Sequence, residues 1–201
     1  MLFIPSPPLF SNYVIAIILG LVIAFKGEAI RGITIGLVYI IRAGRQRRIY
    51  AEGLFTNGIY AHCRNPLYIG NILILLGLGV VANSLIFVVI CVPLFIFLYQ
   101  AIVIAEEDFL QGKFGDAYIE FKSSSNRWFP RLKGLVSTVR EMRFNWKRVF
   151  IEEYNSTYLW MTGAVLLIMR NYRLHEGSEA FEIMLPYFVA LLVLLMLCYF
   201  L

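Results

Sequence analysis

Two groups of charged residues, separated by a long apolar stretch, are the part of this sequence that could carry out chemistry. The first begins at Arg64, followed by Asn65 and Pro66, two residue types favoured at the start of a helix. The second is the acidic pair Glu106 and Glu107. The apolar chain between them can form two membrane helices of similar length, which return both groups to one membrane face. A charged site at the edge of an apolar bundle indicates an enzyme that acts on a lipid-like substrate.

The geometry of a helix limits what these residues can do together. A helix start beside an arginine attracts anions, so Arg64 and its neighbours could hold a carboxylate or phosphate. Successive helical residues diverge by about 100°, so Glu106 and Glu107 cannot face one partner equally. We expect one of them to pair with Arg64 or Arg127 and the other to face a cationic ligand. From the residues alone, two simpler interpretations stay open. Asn65 and Pro66 could serve only to start a helix, and Glu106 and Glu107 could be a solvated acidic surface at the end of one.

The composition places these groups in a membrane. The chain has 201 residues, of which 60% are hydrophobic and 15% charged, and its mean hydropathy is +0.73. These values predict an all-α, multi-span integral membrane bundle that forms a single domain, and they exclude an ordinary soluble domain. Six helices are predicted at Leu9–Phe25, Ala29–Ile41, Leu67–Val81, Leu85–Ala105, Ser156–Met169 and Phe181–Leu201.

The distribution of lysine and arginine predicts the orientation. Most of the 18 basic residues follow the second or the fourth predicted helix. By the positive-inside rule, both basic segments, both termini and the charged site should be cytoplasmic. Within the second segment, Leu135–Phe150 alternates apolar and basic residues at helical spacing. This predicts a basic amphipathic helix over residues 134–153, lying either on the anionic leaflet or against the cytoplasmic part of the protein.

The remaining cysteine, histidine, basic and glycine patterns do not indicate a functional site. The three cysteines and two histidines show no metal-binding spacing, so no metal site is predicted. Because basic residues beside membrane spans are explained by the orientation of the protein in the membrane, no nucleic-acid partner is predicted. A G-x-G-x-x-A match starts at Gly77, but it closes an apolar helix instead of following a strand, so it does not indicate a dinucleotide site. We expect Gly70, Gly77 and Gly79 to allow close helix packing.

Several short motifs, taken in order, carry a family resemblance. Residues 54–70 resemble the cofactor-site signature of the isoprenylcysteine carboxyl methyltransferase family, which is related to the membrane phospholipid N-methyltransferases. Further along, Glu106 begins an E-E-x-x-L element, Phe114 an F-G-x-x-Y element and Arg127 an R-x-F-P element. The resemblance covers residues 50–131. It implies a methyltransferase core there, with a helical hairpin at 1–45 before it, and the amphipathic helix and a C-terminal hairpin at 156–201 after it.

The resemblance implies a cofactor and residue roles. S-adenosylmethionine would be the methyl donor, held at the cytoplasmic end of the hairpin formed by the third and fourth helices. Arg64 and Arg127 would be catalytic, with Arg127 near the acceptor. The implied cofactor-binding residues are Gly58, Ile59, Tyr60, Arg64, Asn65, Pro66, Tyr68, Glu106 and Glu107.

The implied activity is methyl transfer to a small lipophilic acceptor in the membrane, similar to an isoprenylcysteine carboxylate. Asn65 departs from the pattern, because the carboxyl methyltransferases carry histidine there, and asparagine cannot titrate. Phospholipid N-methylation therefore stays open. So do an NADPH-dependent, sterol-type reductase and a non-enzymatic membrane protein. The oligomeric state is left undetermined.

Overall fold

The computed structural model of the protein describes residues 6–37, 54, 56 and 58–200. In this part of the chain the regular structure is helical, with one isolated bridge between Cys63 and Asn126. A 3₁₀ turn covers Gly58–Ala61, and a π-helical turn at Phe87–Cys91 leads into the third helix. The helices are α1 (Tyr13–Leu37), α2 (Pro66–Val81), α3 (Val92–Phe114), α4 (Asp116–Ser124), α5 (Leu135–Glu141) and α6 (Trp146–Phe200).

Among the described residues, three helical stretches are long and apolar enough to cross a membrane. They are Tyr13–Leu37, Phe87–Phe114 and Trp146–Phe200, with mean hydropathies of 2.1, 2.7 and 2.5 in their most apolar windows. The apolar helix α2 is shorter. Many large apolar side chains on these helices point outward, which is the arrangement that lipid contact requires. The prediction of an all-α membrane protein is confirmed.

The N-terminal part differs from the prediction. Residues 13–37 form one helix, whereas two helices, Leu9–Phe25 and Ala29–Ile41, were expected around a turn. The predicted turn, and with it the hairpin in residues 1–45, is therefore wrong. Lys26, Gly27 and Glu28 interrupt the apolar pattern, but Gly27 lies against the backbone of α2 and Glu28 accepts hydrogen bonds from α6. Tertiary partners thus accommodate Gly27 and Glu28, and the helix continues through them.

Helix α6 is a hairpin of two arms. Gly177 has φ +86°, a conformation that only glycine adopts readily, and it reverses the chain between residues 146–176 and 178–200. The arms lie side by side, because the rings of Tyr158 and Tyr199 are 4.5 Å apart and those of Tyr172 and Phe188 are 6.0 Å apart. The first arm contains the predicted helix Ser156–Met169, and the second contains the predicted helix Phe181–Leu201 except for its last residue, which lies outside the described residues.

The two ends of the described chain lie at opposite ends of the bundle. Near the start, Leu9 and Phe10 donate backbone hydrogen bonds to the side chain of Asn83, in the connection that follows α2. Near the finish, Tyr199 contacts Asn155, close to the beginning of α6. The prediction that both termini face the cytoplasm therefore disagrees with the structure, because a single helix α1 replaces the expected hairpin.

The predicted amphipathic helix over residues 134–153 is broken. Helix α5 ends at Glu141, and Met142 is extended with φ −90° and ψ 145°. The side-chain Oδ1 of Asn145 then accepts a hydrogen bond from the backbone amide of Arg148. The backbone amide of Asn145 donates to the Gly36 carbonyl. Asparagine is a strong helix cap, so it starts α6 here instead of continuing α5.

Glycines set the close contact between α1 and α2. A Cβ atom added to Gly77 would lie 2.6 Å from the backbone nitrogen of Ala24, and one added to Gly70 would lie 2.7 Å from the carbonyl oxygen of Gly27. Gly79 lies against the ring of Phe87. The expected role of Gly70, Gly77 and Gly79 in close packing is confirmed.

This contact predicts the effect of a larger residue at position 77. Gly77→Leu should destabilise the bundle by about 1–3 kcal/mol or more, because the added atoms meet backbone that cannot move aside. The matched control is Gly163→Leu, since a Cβ atom at Gly163 in α6 meets nothing within 4 Å. Thermal unfolding of the two variants in detergent checks the prediction, and equal stabilities would contradict it.

Candidate functional site

Two strips of chain lie side by side at the end of the bundle where α2 begins. The Arg64 amide donates to the Asn126 carbonyl at 2.8 Å, and the Arg131 amide donates to the His62 carbonyl at 2.9 Å. The site strip, defined as residues 62–65, therefore runs along the arginine strip, defined as residues 126–131. This pairing brings Arg64 and Arg127 to the same side of the C-terminal part of α3.

Glu107 is the centre of the charges gathered there. Only 5% of its surface is exposed. Its carboxylate accepts hydrogen bonds from Arg64 Nη2 at 3.2 Å and from Arg127 Nε and Nη2 at 3.0 and 2.6 Å. Lys122 Nζ lies 3.7 Å away. A carboxylate this deeply buried needs such partners, because removing a charge from water is costly unless it is paired.

The two arginines differ in how firmly they are held. Arg64 is 8% exposed, and its Nη1 also donates to the carbonyls of Lys122 and Ser125 at 2.7 and 2.6 Å. Within the described chain its Nε has no hydrogen-bond partner. The side chain of Arg127 is 31% exposed. Its hydrogen bond to Glu107 raises the pKa of Arg127, against the opposing effect of partial burial. Arg127 therefore stays cationic.

Glu106 faces a different partner. It is half-buried and accepts a hydrogen bond from the Tyr68 hydroxyl at 2.9 Å. The expected divergence of Glu106 and Glu107 is therefore confirmed, and Glu107 is the one that pairs with Arg64 and Arg127. The predicted cationic ligand of the other carboxylate stays a prediction.

Asn65 and Pro66 begin α2 in different ways. Pro66 occupies the first turn, as predicted. Asn65 precedes it but makes no side-chain cap. Its Nδ2 instead donates to the Arg127 carbonyl at 3.1 Å. Asn65 thus holds the arginine strip in place, a function that the sequence did not indicate.

Gly58, Ile59 and Tyr60 form the 3₁₀ turn beneath the site. Ile59 and Tyr60 are buried against a cluster that contains Leu110, Tyr118 and Phe121. Gly58 has φ +65°, and a Cβ atom there would lie 2.7 Å from the terminal methyl of Met142. The side chains of Ile59 and Tyr60 therefore support the site from the core. Any cofactor contact of this turn stays a prediction.

A small pocket lies among these groups. Its empty volume, counted together with the space open to solvent, is about 250 Å³. The lining residues are Arg64, Asn65, Val103, Glu106, Glu107, Leu110, Tyr118 and Phe121.

Sequence reasoning missed Lys122 and His62. The position of Lys122 could have been found from α4, because it lies one helical turn after Tyr118 in the F-G-x-x-Y element. The contacts of His62 involve residues far along the chain, and no local pattern points to them. Among the described residues, no group of three or more histidine, cysteine or acidic side chains lies close enough to hold a metal ion.

Comparison with known proteins adds independent information. A family model described as phospholipid methyltransferase matches residues 13–117, a little over half of the chain. The cobalt-zinc-cadmium resistance protein CzcN of Cupriavidus metallidurans is 37% identical over 79 residues, which are 39% of this chain and 36% of that protein. The nickel-cobalt-cadmium resistance protein NccN of Alcaligenes xylosoxydans xylosoxydans is 29% identical over 108 residues, or 50% of each chain.

The matches thus span between about a third and a half of these curated relatives, and no solved structure matches significantly. The family match covers α1, α2 and α3, and with them the site residues Arg64, Glu106 and Glu107. It agrees with the resemblance carried by the motifs. The chain therefore belongs to the phospholipid methyltransferase family.

Proposed function

We propose that this protein transfers a methyl group from S-adenosylmethionine to a small lipophilic acceptor held in the membrane, similar to an isoprenylcysteine carboxylate. The observation that carries the proposal is the convergence of Arg64 and Arg127 on the buried Glu107, beside the half-buried Glu106, at the end of two apolar helices. Charged groups are rarely placed at such a position without a function.

The polar groups that line the pocket are of the chemical kinds that can bind the cofactor. Arg64 is among the residues that line the pocket, and its buried Nε has no hydrogen-bond partner among the described residues, so this guanidinium has a donor left for the carboxylate of S-adenosylmethionine. Glu106 offers a carboxylate for the cofactor's amine or hydroxyls. When bound, the cofactor would supply an electrophilic methyl group on a sulfonium.

The protein's own residues supply position and charge. In-line displacement at a methyl group depends on how the two reactants are oriented, and it needs neither a metal nor a covalent intermediate. Glu107 fixes the guanidinium of Arg127, and the exposed part of that side chain is available to orient an anionic acceptor. The apolar helices below allow a lipophilic acceptor to approach from the bilayer. The partly exposed end of Arg127 thus indicates a carboxylate or phosphate near the reacting atom.

A phospholipid amine is the second candidate acceptor. The name of the family model favours a phospholipid acceptor. Of the contacts described above, Glu106 takes part only in the hydrogen bond from Tyr68, so its carboxylate could also bind the ammonium group of such an acceptor. The curated relatives are named for resistance to metals, which does not identify a methyl acceptor.

Calorimetric titration of the purified protein with S-adenosylmethionine tests the cofactor. We expect saturable binding that Glu106→Gln weakens by about tenfold, the factor expected when a charge-assisted hydrogen bond is lost. Glu120→Gln is the control, since this carboxylate is exposed on α4. Binding of NADPH in place of S-adenosylmethionine would favour a reductase, and binding of neither would refute the proposal.

Labelled methyl transfer into a membrane lipid extract then separates the two acceptors. A carboxyl methyl ester releases its label as methanol in mild base, whereas an N-methyl group keeps it. Base-labile product supports the carboxylate acceptor. Base-stable product in the phospholipid fraction supports N-methylation.

A further inference from the structure

His62 connects three parts of the protein that are distant in sequence. The residue is only 7% exposed. The Nδ1 lies 2.7 Å from the carbonyl oxygen of Arg131, and the Nε2 lies 3.0 Å from the hydroxyl of Thr138 in α5. Because a carbonyl oxygen only accepts, Nδ1 carries a proton in this contact. Both ring nitrogens are thus engaged, and each binds a different segment.

The arginine strip is held at several other points by the site strip. The Arg64 amide bonds to Asn126, the Asn65 side chain bonds to the Arg127 carbonyl, and Cys63 Sγ lies 3.4 Å from the Trp128 carbonyl. His62 extends this row to Arg131 with both its backbone and its ring. Every residue of the site strip therefore contributes to the position of the backbone that carries Arg127.

Helix α5 is the third part. The Thr138 hydroxyl lies 3.0 Å from His62 Nε2 and 3.0 Å from the Gly134 carbonyl oxygen, and its single proton can be donated to only one of these acceptors at a time. Met142, directly after α5, packs over Gly58. Helix α5 therefore reaches the 3₁₀ turn on one side and the arginine strip on the other. The arginine strip and α5 both lie beyond the residues that the family model matches.

We propose that His62 is a positioning residue that acts through the arginine strip. Its ring joins Thr138 of α5 to the carbonyl of Arg131, and this link sets where the guanidinium of Arg127 meets Glu107. The kinetic part of this inference rests on the proposed methyl transfer. The structural part does not, and it can be measured without any substrate.

Hydrogen exchange tests the structural part. Thr138→Val removes only the hydroxyl that meets His62 Nε2 and keeps the shape of the side chain. We expect amides of the arginine strip to exchange about fivefold faster, the factor that corresponds to one lost neutral hydrogen bond. His62→Phe should act on the same amides more strongly. Ser137→Ala is the matched control, because the Ser137 hydroxyl also bonds to Gly134 but is exposed. Unchanged exchange of the arginine strip in Thr138→Val would overturn the proposal.

A double-mutant cycle tests the kinetic part. His62→Phe and Thr138→Val should lower the turnover number while the dissociation constant of S-adenosylmethionine stays the same. In an Arg127→Lys background the same substitutions should have little further effect, because the residue through which they act is already changed. Equal losses in both backgrounds would show a general structural role and overturn the proposal. If the unmodified protein transfers no methyl group, the proposed function fails by itself, and hydrogen exchange alone decides the role of His62.

Discussion

Replacing Glu107 with glutamine should cost about 3–5 kcal/mol of stability, the range seen when one partner of a buried ion pair is removed. Arg64 is almost fully buried, and its side chain is fixed by the Lys122 and Ser125 carbonyls, so it cannot move out to water. Without Glu107 its charge would face carbonyl oxygens and an apolar cluster. The loss should therefore exceed that of an exposed ion pair, which is usually below about 1 kcal/mol.

Unfolding of Glu107→Gln in detergent, followed by the near-ultraviolet signal, measures this loss. Glu120→Gln is again the control, with an expected change near zero because that carboxylate is exposed on α4. Combining Arg64→Met with Glu107→Met should recover part of the stability, because an apolar pair of similar size leaves no buried charge behind. A single substitution that costs less than about 1 kcal/mol would show that Glu107 is not the electrostatic centre of the site.

The second large effect is expected inside the bundle, at the pair formed by Arg31 of α1 and Glu153 of α6. Arg31 donates from Nε at 3.0 Å and from Nη2 at 2.7 and 2.9 Å to this carboxylate, and it also bonds to Asn71 of α2. The side chains are 14% and 4% exposed. Glu153→Gln should cost about 3–5 kcal/mol, because a guanidinium is then left unpaired among apolar helices.

Salt provides a second measurement for this pair. A buried pair is screened much less than an exposed one, so the cost of Glu153→Gln should be nearly the same at low and high ionic strength. The matched control is Glu152→Gln, which changes the neighbouring exposed carboxylate. A cost that disappears in high salt, or one that Glu152→Gln reproduces, would contradict a buried pair.

Sequence reasoning predicted the parts of this protein that depend on local pattern. The apolar runs indicated the helical membrane fold, and the start of α2 at Pro66 and the hairpin to α3 followed from local residues. The divergence of Glu106 and Glu107 toward different partners followed from helix geometry alone. The family followed from the order of short motifs between residues 54 and 130, because each motif is local and their spacing is readable along the chain.

The errors lie where distant residues decide. Lys26 and Glu28 interrupt an apolar run, and only the partners of Glu28 on α6 show why α1 continues. Asn145 ends an apparently amphipathic pattern, and besides capping the next helix its backbone amide bonds to the distant Gly36 carbonyl. The alignment of the site strip with the arginine strip, which gives Asn65 and His62 their contacts, joins residues more than 60 positions apart and has no periodic signature.

The contacts of Glu28 and Arg31 have a consequence for how this protein can have evolved. Both residues lie within the part matched by the family model, but Thr157, Trp160 and Glu153, which bind them, lie beyond it. A lineage that lost α6 would expose a carboxylate and a guanidinium to lipid. Arg31 would keep its contact with Asn71, but Glu28 would lose both of the partners described here. The charges on α1 are therefore matched to α6 as well as to α2.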